Sequence, residues 1–380
     1  MLIKGGTLHI GDGRILPDTD ILVQNGKIAA IGTGLMDKEV IDASGKEVFP
    51  GFIDAADYAG CIDMAYHAHD YSENSSPVVP YVNIKHSVDP DEVERQEFYK
   101  SGITSMVMVP GNKNVIGGMA AVLKTTGINI NQMVVKEQAA LKGSVINTVK
   151  ETFGSRGVKP STRMGMMNLL KETFAKYQKP EECGKLSYIE AKNRDIFQKV
   201  FAKEVPFVVA ANTKAEIESV IEGLKPYDVK LAICNAYQAG QAKEAILEAK
   251  AAVILGEFSH MSSEVHYDTD FEAILELERQ GIPVAISLLT DDNVLGRECL
   301  FWTVSKLKKA GAAEEQILRM LTVHPAEIFG IADVAGTLEV GKDADIVICC
   351  GNPIEACDAY VTETLIRGQM VYRKEEAVCC

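Results

Sequence analysis

Short apolar runs alternate with helical patterns along the middle of the chain, from about residue 51 to residue 335. Apolar runs bounded by turn residues predict buried strands, here at residues 103–109, 132–136, 207–211, 229–235, 251–258 and 283–289. Helical periodicity predicts helices at residues 91–99, 163–177, 214–224, 241–251, 270–280 and 300–310. This alternation favours a parallel (β/α)8 TIM-like barrel. A doubly wound open sheet is the alternative, but no Gly-x-Gly-x-x-Gly follows a strand.

Both ends of the chain have a different pattern, with short strands and tight turns. Asn25-Gly26 is a strong two-residue hairpin signal between the apolar stretches 20–23 and 27–32. Residues 336–373 repeat this character. Neither end alone has enough strands to bury a face. We therefore expect an α/β protein in which residues 1–50 and 336–380 form a composite β-sandwich and residues 51–335 form the barrel.

Composition narrows the class of protein and its partners. The 380 residues are 47% hydrophobic, which is enough for a large core, and no apolar run is long enough to span a membrane. The net charge of −14 disfavours nucleic acid and anionic membranes as partners. Nine cysteines, an odd number, and the lack of a signal peptide at the N-terminus indicate free thiols in a cytoplasmic protein. We expect a homo-oligomer that takes a small-molecule ligand.

The most informative motif lies where the barrel begins. Pro50-Gly51 leads into an apolar run that ends at Asp54, and this stretch resembles the first barrel strand of the amidohydrolase superfamily. That strand usually reads Pro-Gly-x-Ile-Asp-x-His-x-His. Here Ala56 and Tyr58 occupy the two histidine positions. Neither alanine nor neutral tyrosine can replace an imidazole that holds a divalent metal.

The resemblance extends over nearly the whole chain. It is similar to an imidazolonepropionase-like and prolidase-like subgroup at residues 110–118, 135–140, 160–165 and 324–330, and to the family's closing signatures at residues 336–347 and 368–371. For this family the resemblance implies a barrel whose mouth holds divalent metal. It also implies hydrolysis of a non-peptide carbon–nitrogen bond, such as a cyclic amide, by a metal-bound water.

The other metal-ligand positions that the resemblance implies also lack histidine. Family members carry histidines on barrel strands 5 and 6, whereas this chain has Ala210 and Asn212 on the first and Cys234 and Asn235 on the second. The expected aspartate of the last strand is kept as Asp291. The carboxylated lysine of the family corresponds to Lys136, or in a competing assignment to Lys142. We therefore expect no cofactor, and we expect the Lys136 ammonium to pair with Asp291.

Three functional hypotheses follow from these positions. In the first, the chain is a metal-free degenerate hydrolase or binding protein, a pseudoenzyme. In the second, it is an active hydrolase with an altered or relocated site, where one divalent metal such as zinc is held by Asp291 with His67, His69, His260 and His266. Solvated loop histidines are the plainer interpretation of those four. In the third, Lys136 and Asp291 act as acid and base without metal.

Three more residues are candidates for substrate binding. Asn114 lies in a glycine-rich loop at residues 110–118, whose amides and Lys113 suit an anion, although a tight turn explains the glycines equally well. Arg163 begins a helix that Ser161 or Thr162 caps, and its unfavourable place in the helix dipole predicts a carboxylate partner. Tyr58 is expected to project into the mouth and to bond Asp291, Asp292 or Asn235 through its hydroxyl.

Overall fold

The computed structural model describes residues 1–63, 68–91, 95–179, 186–256, 258, 269–289 and 299–374. Its strands are β1 (Leu2–His9), β2 (Ile15–Gln24), β3 (Lys27–Gly32), β4 (Val40–Asp42), β5 (Glu47–Pro50), β6 (Phe52–Asp57), β7 (Ile62–Asp63), β8 (Ala68–His69), β9 (Ile103–Met108), β10 (Ile116–Lys124), β11 (Val134–Ser144), β12 (Phe207–Ala211), β13 (Leu231–Asn235), β14 (Ala252–Leu255), β15 (Val284–Ile286), β16 (Ile346–Cys350), β17 (Tyr360–Ile366) and β18 (Gln369–Arg373). Its α-helices are α1 (Arg95–Lys100), α2 (Ile130–Met133), α3 (Asn147–Gly154), α4 (Arg163–Gln178), α5 (Tyr188–Phe201), α6 (Lys214–Leu224), α7 (Lys243–Ala249), α8 (Phe271–Arg279), α9 (Cys299–Lys309), α10 (Glu314–Leu321) and α11 (Val323–Phe329).

Strands from both ends of the chain form one hydrogen-bonded sheet. Its order is β18-β17-β16-β5-β1-β2-β3, with β4 paired to β1. The ends meet where β16 runs antiparallel to β5, with Ile346 opposite Pro50. Asn25 and Gly26 both adopt positive φ in the β2–β3 turn, as the hairpin signal predicts. Side chains from both ends share a core that includes Ile3, Leu8, Leu338 and Ile348. The composite β unit is therefore confirmed.

The second large sheet is the barrel. Its order is β15-β14-β13-β12-β11-β10-β9-β6. The strands pair in parallel except β10, which runs antiparallel to both neighbours. Residues 125–133 between β10 and β11 are too few for the crossover that a parallel neighbour requires, so this connection makes a hairpin. The Leu288 amide donates to Asp54 Oδ1 at 3.0 Å and thus joins the last strand to the first. The predicted barrel is confirmed, with one reversed strand.

The parallel strands place their carboxyl ends at one edge of the barrel, which we call the mouth. The seven parallel strands that line it end at Asp57, Met108, Ser144, Ala211, Asn235, Leu255 and Ile286. The strand predicted at residues 132–136 exists with other bounds. β11 runs from Val134 to Ser144, so Lys136 lies near the beginning of the strand and not at its end. No helix among the described residues combines the length and apolarity needed to cross a bilayer.

Candidate active site

Two carboxyl groups lie side by side where β6 reaches the mouth. Asp54 is fully buried, and its Oδ1 accepts hydrogen bonds from the amides of Leu288 at 3.0 Å and Ala56 at 3.3 Å. Asp57 Oδ1 accepts from the amides of Tyr58 at 2.6 Å and Ala59 at 2.9 Å. Burial and the adjacent Asp57 raise the pKa of Asp54 well above its ordinary value. Both effects favour the protonated form of Asp54 over its carboxylate.

The tyrosine at the second histidine position is packed against another aromatic ring. The rings of Tyr58 and Tyr71 stack with centroids 4.1 Å apart, and both side chains are buried. The Tyr71 hydroxyl lies 2.7 Å from Nδ1 of His69. Gly111 makes room for this arrangement, since a Cβ there would lie 2.6 Å from the Tyr71 ring. The Tyr58 ring is thus held in a stack, and the bond of its hydroxyl to Asp291, Asp292 or Asn235 stays a prediction, since Asp291 and Asp292 lie outside the described residues.

The loop at residues 110–118 uses its polar groups to hold the chain beside it. Asn114 Nδ2 donates to the carbonyls of Glu73 at 2.6 Å and Ser76 at 2.8 Å. The Gly111 amide donates to the carbonyl of Tyr71, and the Ile116 amide to that of Pro77. Both amides donate to backbone oxygens, so neither is available to bind an anion at this loop. Asn114 Oδ1 is buried without a hydrogen-bond partner in the part of the chain that is described.

The two candidate lysines lie at opposite ends of β11. Lys136 is near its beginning, away from the mouth, and its Nζ donates to the carbonyls of Phe329 at 2.9 Å and Gly330 at 3.4 Å at the end of α11. Burial, followed by the nearby Lys230, lowers the pKa of Lys136. Lys142 is fully buried near the carboxyl end, and its Nζ donates to Asn112 Oδ1 at 2.6 Å and to the Gly143 carbonyl at 3.0 Å. Lys142, the competing assignment, is the lysine close to the mouth.

Arg163 has the carboxylate partner that its position predicts. It opens α4, which Thr162 caps by accepting a hydrogen bond from the Gly165 amide at 3.1 Å. Its guanidinium lies 3.6 Å from Glu216 Oε1. The other oxygen of Glu216 accepts from the amides of Asn212 at 2.9 Å and Thr213 at 3.0 Å. Arg163 therefore supports the connection that follows β12 at the mouth.

Asn212 and Asn235 stand at the ends of adjacent strands. The strands are in register, with Ala210 opposite Cys234 and Ala211 opposite Asn235. Asn212 Oδ1 is a buried acceptor that meets no donor among the described residues. Asn235 and Ala236 have φ of 64° and 44°, a left-handed backbone that non-glycine residues adopt at a cost. The mouth thus combines amide side chains with local backbone strain.

These residues do not fit the metal centre that the family resemblance implies. Four of its expected imidazoles are replaced by Ala56, Tyr58, Asn212 and Asn235. Among the described residues, no three His, Cys, Asp or Glu side chains are grouped so that they can hold a metal ion.

Several sequence candidates fall outside the described residues, namely Asp291, Asp292, His67, His260 and His266. The pairing of Asp291 with Lys136 and the relocated metal site therefore stay predictions. His69, the described member of that set, is an exposed residue whose ring meets Tyr71. His324 lies in the first turn of α11, and its burial lowers its pKa to about 4.

Sequence reasoning misses the Asp54–Asp57 pair. Asp54 is identified only as the aspartate of the strand motif. Asp57 lies at a variable (x) position of that motif, so nothing in the motif points to Asp57. The available signal is two carboxylates three residues apart at the end of an apolar strand. Like charges so close at a buried edge require a shared proton or a cation.

Comparisons with known proteins agree with this architecture. The family model described as "Amidohydrolase family" matches residues 96–371. Amidohydrolase tasK of Hapsidospora irregularis is 22% identical over 88% of this chain, which spans 38% of that protein's length. An allantoinase of Enterococcus faecalis is 22% identical over 100% of this chain and 97% of its own. A crystal structure of an amidohydrolase from Thermotoga maritima MSB8 superposes with a TM-score of 0.88 at 28% identity, covering 98% of this chain and 100% of that one. This chain therefore belongs to the amidohydrolase family.

Proposed function

We propose that this protein is a metal-free member of the amidohydrolase family that binds a small polar ligand at the barrel mouth and does not hydrolyse it. The observation that carries the proposal is the donor set at the mouth. Side chains at the expected imidazole positions are methyl, phenol and carboxamide groups, which cannot supply the nitrogen ligands of zinc or iron.

The groups at the mouth are suited to ligand binding. Asn212 offers a buried carboxamide oxygen, and Lys142 offers a buried ammonium near the same edge. The left-handed backbone at Asn235 and Ala236 is the kind of strain that collects at ligand sites. A ligand with both N–H donors and carbonyl acceptors, such as a ureide or a cyclic imide, matches this chemistry.

The experiment compares binding and turnover of one class of probe. Hydantoin and allantoin are incubated with purified protein, with and without added Zn²⁺ or Mn²⁺, and product formation is followed by chromatography while binding is followed by calorimetry. We expect binding that Asn212→Ala weakens, and no turnover above the buffer rate. Asp228→Asn is the matched control, because Asp228 is exposed at the end of the barrel opposite the mouth. This variant should bind the probes like the parent.

Turnover of either compound would overturn the proposal. If that turnover required added metal and disappeared in His69→Ala or His260→Ala, the relocated metal site would be established instead. Turnover that survived chelation and depended on Asp291 would establish metal-free acid–base hydrolysis.

A further inference from the structure

An open groove of about 510 Å³ lies between the neighbouring helices α6 and α7. Its floor is apolar and is formed by Ile221, Leu224, Val229, Leu231, Ala245 and Ala249. Leu231 begins the parallel strand β13, so the groove lies at the amino-terminal face of the barrel. It is therefore separate from the ligand site proposed at the mouth.

Carboxylates dominate the charged side chains around this floor, which are Glu218, Glu222, Lys225, Asp228, Glu244 and Glu248. Three of the carboxylates form ion pairs with lysines, at 2.8 Å for Lys225–Glu248, 3.6 Å for Lys214–Glu218 and 2.8 Å for Lys203–Asp228. Within the part of the chain that is described, Glu222 and Glu244 form no ion pair. The rim of the groove thus keeps an excess of negative charge.

The glutamates on the two helices have the same spacing. Glu218 and Glu222 are four residues apart in α6, and Glu244 and Glu248 are four residues apart in α7. Residues at this spacing are neighbours on a helix surface, and two like charges there destabilise the helix. Four residues correspond to about 6 Å along the helix axis. The groove is therefore flanked by two pairs of carboxylates, each with a spacing of about 6 Å.

An amphipathic basic helix has the pattern that complements this groove. Its apolar side chains would cover the floor, where the small Ala245 and Ala249 leave room for them. Lysines or arginines four residues apart on its flanks would match the spacing of the glutamates. Each exposed ion pair contributes little, so the apolar contact supplies most of the affinity and the charges select the partner. Nucleic acid and anionic membranes would be repelled by the same carboxylates.

We propose that the groove between α6 and α7 is a docking site for an amphipathic basic helix of another protein. The helix lies in the groove with its apolar face on Ile221 and Leu224 and with its cationic side chains beside Glu222 and Glu244. These two glutamates then gain the positive partners that the described part of this chain does not give them. Because the groove and the mouth lie at opposite ends of the barrel, docking leaves the mouth open to its own ligand.

The test uses two labelled peptides of identical composition. One is a helix of about 18 residues with a leucine stripe flanked by lysines four residues apart, and the other is a scrambled peptide without the stripe. Binding to the parent and its variants is measured by fluorescence anisotropy at low salt. We expect the patterned peptide to bind the parent and the scrambled peptide to bind at least about tenfold more weakly, since it cannot cover the apolar floor.

The variants separate the groove from the overall acidity of the protein. The double substitution Glu222→Gln with Glu244→Gln should weaken binding of the patterned peptide about fivefold, as the loss of two exposed ion pairs predicts. Glu151→Gln with Glu272→Gln is the matched control, because it neutralises two exposed glutamates of α3 and α8 and gives the same net charge. This control should bind the peptide like the parent. Ala249→Arg, at an exposed position of the lining, should abolish binding by placing bulk and positive charge in the groove.

Several results would overturn the proposal. Absence of binding, equal binding of the scrambled peptide, or an equal loss in the control double variant would show that the groove does not recognise a patterned helix. Displacement of the peptide by spermidine as readily as by unlabelled peptide would indicate a site for small cations instead. Size-exclusion chromatography in which Ala249→Arg dissociates an oligomer of the parent would assign the groove to a contact between copies of this chain.

Discussion

Replacing Asp54 with asparagine should stabilise the protein at neutral pH. Asp54 is fully buried, its Oδ2 meets no donor among the described residues, and the Asp57 carboxyl lies beside it. An asparagine keeps an oxygen for the amides of Leu288 and Ala56. It also brings an NH₂ group that can donate to Asp57. The substitution therefore replaces a carboxyl whose charged form is disfavoured by burial and by Asp57 with a neutral group of the same shape.

The size of the effect follows from proton linkage. The pKa of Asp54 is raised in the folded state, so the folded protein binds more protons than the unfolded chain above about pH 3.9. Stability then falls as pH rises, by about 1.4 kcal/mol per pH unit, until the folded-state pKa of Asp54 is passed. The Asp54→Asn substitution removes this slope. The difference in the free energy of unfolding between Asp54→Asn and the parent should therefore grow as pH rises from about 4 toward neutral, by at most about 1.4 kcal/mol per pH unit.

Urea unfolding of the parent and Asp54→Asn at four pH values between about 4 and about 7.5 gives this difference directly. Asp42→Asn is the control, since Asp42 is exposed and hydrogen bonds from the Ser44 hydroxyl and amide lower its pKa. Because the pKa of Asp42 is lowered in the folded state, its carboxylate stabilises the parent at pH values above the ordinary aspartate pKa. Asp42→Asn therefore cannot gain stability relative to the parent as pH rises. A difference between Asp54→Asn and the parent that does not grow with pH would refute the reasoning.

Three further predictions concern packing and the joints of the fold. Gly111→Ala should lower the free energy of unfolding by about 1–3 kcal/mol, since the new Cβ would meet the Tyr71 ring; calorimetry showing no loss would contradict the stacked arrangement. Lys124→Met should cost about 3–5 kcal/mol in urea unfolding, because it leaves the buried Asp345 carboxylate without the ammonium that binds it; a cost under about 1 kcal/mol would show that water replaces the ammonium. Cys349 should resist alkylation by iodoacetamide until urea unfolds the protein, because burial raises the pKa of its thiol; mass spectrometry that finds it modified in the native state would argue against its burial.

The sequence predicts elements well where a single local pattern decides them. The apolar run at 207–211 and the helix at 214–224 coincide with β12 and α6. The capping box of α6 explains the sharp boundary, since Thr213 and Glu216 fix the first turn. The hairpin at Asn25-Gly26 is equally local, because both residues must adopt positive φ.

The reversed strand could not be read in the same way. Residues 116–124 are buried on both faces, so they lack the polar alternation of a half-exposed strand. Their two adjacent glycines indicated a loop instead. Because β10 pairs with β11 along its length, β11 extends to Ser144, and of the two candidate lysines Lys142 lies near the mouth. The pairing of β10 with two neighbours is a long-range contact that no local pattern encodes.

The sequence shows which side chains stand at the expected ligand positions, but not what those side chains contact. Comparing a motif with its usual form shows that Ala56 and Tyr58 cannot bind metal as imidazoles do. It does not show that Tyr58 stacks on Tyr71, which comes from a loop beyond the strand. The raised pKa of Asp54 depends on its burial, which packing by distant segments provides, and on the neighbouring Asp57. Such properties arise when distant segments are brought together.

Metal stoichiometry tests the central claim most directly. The purified protein is dialysed without chelator against an excess of Zn²⁺, and in parallel against Mn²⁺, and the bound metal is measured by elemental mass spectrometry against protein concentration. The donor set at the mouth predicts far less than one equivalent of either metal, unchanged in Asn212→Ala. One or more equivalents of metal per chain, retained through gel filtration and reduced by substitution of Asp291 or of His69, would contradict a metal-free mouth.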